Sequence, residues 1–169
     1  RIKRRRRQRP GMNPYFLMST IKQVNSLVGR LLLAAGRQLA RCDPPRFLKA
    51  IADAPLNTSK SLRRAILRAS CSLPVEHADL VLEWLLRNPR CYGCGARSDG
   101  GPWQLAAKVI ARFAAHCSSS VYDRLESSLL AYHEPWEAES FKSTLKRSRS
   151  VQYEPSPWGR AQRVLLDGL

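Results

Sequence analysis

The sequence predicts an all-α protein of stacked helical hairpins. Apolar residues recur at three- and four-residue spacing along most of the chain, the signature of helices with one buried face. Pro, Asn and Ser punctuate these stretches at roughly 15–20-residue intervals, as in helical repeats. No alternating run is long enough for a convincing strand. The spacing suits an irregular α-solenoid segment, and a compact helical bundle is the alternative.

Residues 1–11 read as a disordered basic arm. Asn13-Pro14 supplies a cap and a first-turn proline. Phe16, Leu17, Ile21, Val24, Leu27, Val28, Leu31, Leu32, Ala35 and Leu39 then continue one helix to about Arg41, or two helices broken near Gly29. Asp43-Pro44-Pro45 repeats the start signal for a short helix with Phe47, Leu48 and Ile51 inward, and Pro55 stops it. Asn57 or Thr58 is the expected cap of the next helix, where Leu62, Ala65, Ile66 and Ala69 oppose Arg63, Arg64 and Arg68.

Pro74 opens a further helix, with Glu76 in its first turn. Leu80, Val81, Leu82, Trp84, Leu85 and Leu86 cover almost its whole circumference, so it is expected to be the most buried. The glycine-rich stretch RCYGCGARSDGG (90–101) follows. The next helix carries Trp103, Ala106, Ala107, Ile110, Phe113 and Ala114 on one stripe. Ser120 with Asp123 resembles a capping box for the following helix, which turns Tyr122, Leu125, Leu129 and Tyr132 inward and ends at Glu134-Pro135. Phe141 and Leu145 suggest a short helix. Gly159–Leu166 restarts an amphipathic one, in which Leu165 and Leu166 find no later partner in the sequence.

With 169 residues, 44% of them apolar, the chain can bury a core. Charge is the outstanding compositional feature: 29 Lys+Arg against 13 Asp+Glu, a formal +16. Seven of these positive charges fall within residues 1–9, and the rest of the chain stays basic. Such a balance favours anionic partners. Arginines beyond Arg9 are spread over every helix rather than gathered in a stripe, so filling of solvated helix faces is the competing explanation. Five cysteines without framework spacing suggest reduced thiols and a cytoplasmic setting. The run Leu31–Ala35 is too short to span a membrane. A start at Arg1 and an end at Leu169 in mid-pattern predict a piece of a longer protein.

Few residues point to chemistry. Cys91 and Cys94, two residues apart in a glycine-rich turn, could grip one face of a tetrahedral zinc. The further ligands would have to come from Cys71, His116 or Cys117, and none of these forms a second spaced pair. A thioredoxin-like role would want a strand before the pair and a helix starting on its first cysteine, whereas here the pair follows a helix. The loop lacks the upstream strand and lysine of a phosphate-binding loop. His77, His116 and His133 are scattered, and Ser118–Ser120 reads as a cap cluster. No catalytic residue and no cofactor are expected. Nucleic acid is the rival partner, with Arg4, Arg5, Arg6, Arg7, Lys146, Arg147 and Arg149 as the phosphate-contacting candidates, although no helix-turn-helix or other nucleic-acid motif is visible. Trp84, Trp103 and Tyr122 lie on apolar stripes and read as core.

ADLVLEWLLRNP (78–89), the glycine-rich loop and HCSSSVYDRLESSLLAYHEPWE (116–137) together resemble the helical repeats of large bacterial STAND-type ATP-binding proteins. PPRFLKAIADAP (44–55) is similar to an earlier repeat and GRAQRVLLDGL (159–169) to a later one. The resemblance covers about two thirds of the chain. It implies a HEAT-like scaffold or sensor segment of a signalling or defence protein, with the ATP chemistry elsewhere. No functional residue carries over, because the family's nucleotide-binding motifs are absent. The expected organisation is a basic arm (1–11), a helical repeat domain (12–136), and a weakly ordered basic segment leading into a further, truncated repeat (137–169). The expected partner is another protein or further domains of the same chain.

Overall fold

Seven α-helices account for almost all regular structure among the described residues. The structure is a computed structural model that describes residues 14–54, 59–134, 136, 137, 139 and 159–169, with side chains from Leu27 onward. The helices are α1 (Pro14–Cys42), α2 (Pro44–Ala52), α3 (Lys60–Ser70), α4 (Ala78–Arg87), α5 (Gln104–Phe113), α6 (Ser119–Leu130) and α7 (Arg160–Leu166). Short 3-10 turns precede α4 and α5 and follow α4 and α5. The β-type pairing found among the described residues is a single bridge between Ala96 and Gly101. The basic arm, Lys146, Arg147 and Arg149, and the helix expected around Phe141 and Leu145 lie outside the described residues.

Local chemistry sets the boundaries. Helix α1 is unbroken through Gly29. Asp43 caps α2 by accepting the Arg46 N–H at 3.1 Å, as its place before two prolines predicts. Ser59, rather than Asn57 or Thr58, caps α3 through the Leu62 N–H at 3.3 Å. Pro74 begins a 3-10 turn (Val75–His77), and α4 starts only at Ala78, with Asp79 in its first turn. Asp79 also does the work assigned to a capping box at α6. Its carboxylate accepts the Ser118 N–H at 2.7 Å, while the cap residue Ser118 makes no side-chain cap bond. Helix α6 stops at Leu130, short of Glu134.

The core runs from the C-terminal end of α1, where Ala40 is fully buried, to α7. The predicted stripe of α5 is buried throughout, joined by Leu105 and Val109. That makes α5, not α4, the helix with most buried positions. Leu80 on α4 is exposed, and Trp84 and Leu86 are only half-buried. Trp84 uses its amphipathic ring accordingly, donating from Nε1 to the Ile51 carbonyl at 3.0 Å where α2 meets α4. Leu125 and Leu129 of α6 are buried, with Tyr122 and Tyr132 half-buried beside them.

Packing follows a regular order. Helix α1 rests on α2 and α3, α2 on α4, α3 on α5, and α4 on both α5 and α6. Both α5 and α6 then meet α7. Leu165 was expected to lack a partner. Instead it is fully buried with Ala161, because α7 folds back over α5 and α6. Gly168 permits this approach: a Cβ there would stand 2.7 Å from the Ala107 carbonyl oxygen. The α7 start is capped from a distance, the buried Glu137 accepting the Ala161 N–H at 2.8 Å.

Candidate functional site

Two places combine unusual chemistry with access: the cysteine turn between α4 and α5, and the groove between α1 and α3. The turn begins where Pro89 ends α4 and starts a 3-10 turn to Cys91. The Cys94 N–H donates to the Cys91 carbonyl at 2.9 Å, closing a four-residue turn. Both cysteines are buried. Gly95 is required next, since a Cβ at this position would lie 2.1 Å from the Gly101 carbonyl oxygen across the loop.

The loop is pinned to α3, to α6 and to the stretch that follows α6, which its glycine content alone does not suggest. Asp99, buried at its far end, accepts from Arg68 Nη2 at 2.7 Å and lies 3.8 Å from Arg64. Tyr92 shares a 2.9 Å hydrogen bond with Ser128 of α6, and its ring meets Tyr132 edge-on at 5.2 Å. Trp103 has a left-handed backbone at φ 65°, a conformation that strains a bulky side chain. Its ring is held by stacking on Trp136 at 5.3 Å and by donating to Glu134 Oε2 at 3.3 Å. Tyr132 donates to the same carboxylate oxygen. Burial, together with that hydrogen bond and the Glu134 charge, pushes the Tyr132 hydroxyl well above its ordinary pKa.

Electrostatics separates the two thiols. Cys94 is pulled down by a hydrogen bond from the Cys91 thiol and by the charge and hydrogen bond of Arg63, working against burial. Cys91 is pushed up because its proton serves that bond and because it is buried. The first negative charge therefore settles on Cys94. A cleft of about 380 Å³ is lined by Lys60, Arg63, Tyr132 and Glu134 and, from the turn, by Arg90 and Gly93 but by neither cysteine. Among the described residues, no three His, Cys, Asp or Glu side chains come together as a metal would require. Cys71, His116 and Cys117 are thus not brought to the Cys91–Cys94 pair.

The second place was hidden in the sequence as ordinary core. Leu27, Val28, Leu31 and Leu32 of α1 are 53, 49, 61 and 53% exposed. Gly36 lets α1 approach α3 closely, a Cβ there meeting that of Ala69 at 3.1 Å. On the N-terminal side of this crossing the helices leave a groove of about 660 Å³. Val28, Leu32, Leu33, Leu62 and Ala65 supply its apolar walls, and Arg30, Arg64 and Arg68 its charged rim. One carboxylate, Asp99, serves both Arg64 and Arg68, so the rim keeps a positive surplus. An excess of apolar positions along α1, beyond what two neighbours can cover, was the available signal.

Neither a protein-family model, nor a curated protein, nor a solved structure matches the chain. No helix among the described residues is long and apolar enough to cross a membrane.

Proposed function

We propose that the chain is a non-catalytic helical scaffold that binds a protein partner in the groove between α1 and α3. The observation that carries this is the exposed stripe Leu27, Val28, Leu31 and Leu32 alongside an apolar groove. Contiguous exposed apolar surface of this kind, rimmed by charge, is characteristic of interaction sites. The groove suits an amphipathic helix laid against it, anchored at i, i+3, i+4 and i+7. The positive rim favours acidic flanks on that helix. A second copy of the chain fits poorly, because two molecules of formal charge +16 repel.

Two rows of helices support an α-solenoid segment: α2, α4 and α6 in one, α3, α5 and α7 in the other, with α4–α5 and α6–α7 as cross-contacts. An element that contacts its neighbours two along and one along is the arrangement of stacked hairpins. We place the segment, on the resemblance of its helices, in a larger bacterial STAND-type signalling or defence protein. Cytoplasmic residence belongs to the same proposal.

The test uses the full chain and a designed fluorescent helical peptide with Leu on one face and Glu on the other. Anisotropy titration is expected to show binding that a Lys-for-Glu version lacks. Leu32→Glu should weaken it at least about tenfold, or about 1.4 kcal/mol. Equal binding by the variant would overturn the groove assignment. Tighter binding to duplex DNA, steeply salt-dependent and unaffected by Leu32→Glu, would favour a nucleic-acid-binding protein instead.

A further inference from the structure

The Cys91–Cys94 pair has more chemistry than a packed turn requires. Its hydrogen-bonded turn holds the two Cα atoms within about 7 Å, and a disulfide needs a separation of about 4.4–6.8 Å. Cys91 and then Arg63 are the groups that pull the Cys94 thiol down, which puts both beside it. Between the two cysteines stands Gly93, part of the cleft wall, where the Glu134 carboxylate and the Tyr132 hydroxyl lie so close that a Cβ would stand 3.1 and 3.5 Å from them. Arg63 lines the same cleft.

We propose that Cys91 and Cys94 form a redox-active dithiol, closed to an intramolecular disulfide by a hydroperoxide that enters through the cleft between Arg63 and Gly93. Cys94, as thiolate, attacks the peroxide: an S–O bond forms, the O–O bond breaks, and the leaving oxygen takes up the proton that Cys94 released. Cys91 then attacks the Cys94 sulfenic acid. The S–S bond forms, the S–O bond breaks, and water departs with the Cys91 proton. Two thiols thus give two electrons to one peroxide, yielding the disulfide, an alcohol (water, for hydrogen peroxide) and water. The polarity of the pair assigns the roles. Cys91 and Arg63 favour the thiolate at Cys94, so Cys94 is assigned the attack, and Cys91, whose thiol form is favoured, resolves. No strand or thioredoxin-like helix start is needed, since the turn and Arg63 supply both proximity and charge.

The disulfide would form in a loop that Tyr92 ties to Ser128 and Trp103 to Glu134. Its state is therefore readable from the tryptophan pair as well as from mass. The folded full chain is treated with hydrogen peroxide, blocked with iodoacetamide under denaturing conditions, and digested with trypsin. The peptide spanning 91–97 is expected to appear unalkylated and lighter by two hydrogens, and to return to the doubly alkylated form after dithiothreitol. It should be oxidised well before Cys42, an exposed thiol in the same chain. Cys91→Ser should leave Cys94 as a sulfenic acid that reacts with dimedone, whereas Cys94→Ser should leave Cys91 unlabelled. Arg63→Gln should slow closure about tenfold with the near-ultraviolet circular dichroism unchanged. The proposal is overturned if 91–97 stays reduced while Cys42 is oxidised, or if the disulfide forms only after the protein is unfolded.

Discussion

Truncating Leu165 to alanine asks whether α7 belongs to the same folded unit as α5 and α6. The side chain is fully buried, and the change removes three carbons. At about 0.8 kcal/mol per buried methylene, the lost transfer energy is about 2.4 kcal/mol. The cavity adds to this, because Ala161 and the backbone around Gly168, tight against the Ala107 carbonyl, leave little room to collapse. Core truncations of this kind cost 2–5 kcal/mol, and about 3 kcal/mol is expected here. For a domain of this size that is a fall in Tm of about 6–12 °C. Urea unfolding followed by tryptophan fluorescence measures it, with Leu166→Ala as the comparison. Leu166 is half-buried on the same helix and should cost about 1 kcal/mol or less. A Leu165→Ala effect below about 0.5 kcal/mol, or one no larger than that of Leu166→Ala, would show that α7 is not docked.

Other perturbations probe the loop and its anchors. Asp99→Ala strands Arg68 and Arg64 at a partly buried site, and about 2 kcal/mol of stability should disappear in the same urea assay. Gly95→Ala drives a methyl into the Gly101 carbonyl, so thermal unfolding should drop by several degrees, whereas alanine at Gly29, which meets nothing nearby, should raise stability slightly. Glu137→Ala removes the cap of α7, and amide exchange in 160–166 should speed up before exchange in α5 does. The thiol pair makes stability depend on pH in two directions. Cys94 is depressed to about 7 from the ordinary 9.0, so its contribution is present in the alkaline range and is lost as pH falls through about 7. Cys91 is raised, so its contribution is lost as pH climbs above 9.0. Stability should rise from about pH 7 to a maximum near 9.0 and fall beyond it, the rise should vanish in Cys94→Ser, and far-ultraviolet thiolate absorbance should show one thiol ionising near 7.

Helix positions were legible because their signals are local. The α5 stripe, the Asp43 cap and the two prolines after it depend only on neighbours in sequence, and the structure keeps each. Long-range partnerships were not legible. Nothing near Ser118 reveals that Asp79, 39 residues earlier, takes its N–H, and nothing near Ala161 points back 24 residues to Glu137. Apolar periodicity marks a face without saying whether anything covers it. Leu27 to Leu32 and Leu165 carry the same signal, yet the first group is left open and the second is buried, a difference made entirely by which helices fold back. The cysteine pair was visible as spacing. Its polarity was not, because Arg63 reaches it from α3, 31 residues before Cys94.

Backbone and methyl chemical-shift mapping of the full chain, with and without the acidic Leu/Glu helical peptide, puts the groove to the sharpest test. If α1 and α3 form the partner site, perturbations should concentrate on Val28, Leu32, Leu33, Leu62 and Ala65, with Arg30 at their margin. The turn at 91–95 should stay unshifted, whereas Ser98 and Asp99, which hold Arg68 of the rim, should follow the groove, and Leu32→Glu should abolish the pattern. Perturbations scattered over the arginines of all helices, or centred away from α1 and α3, would contradict a protein-binding groove at this site.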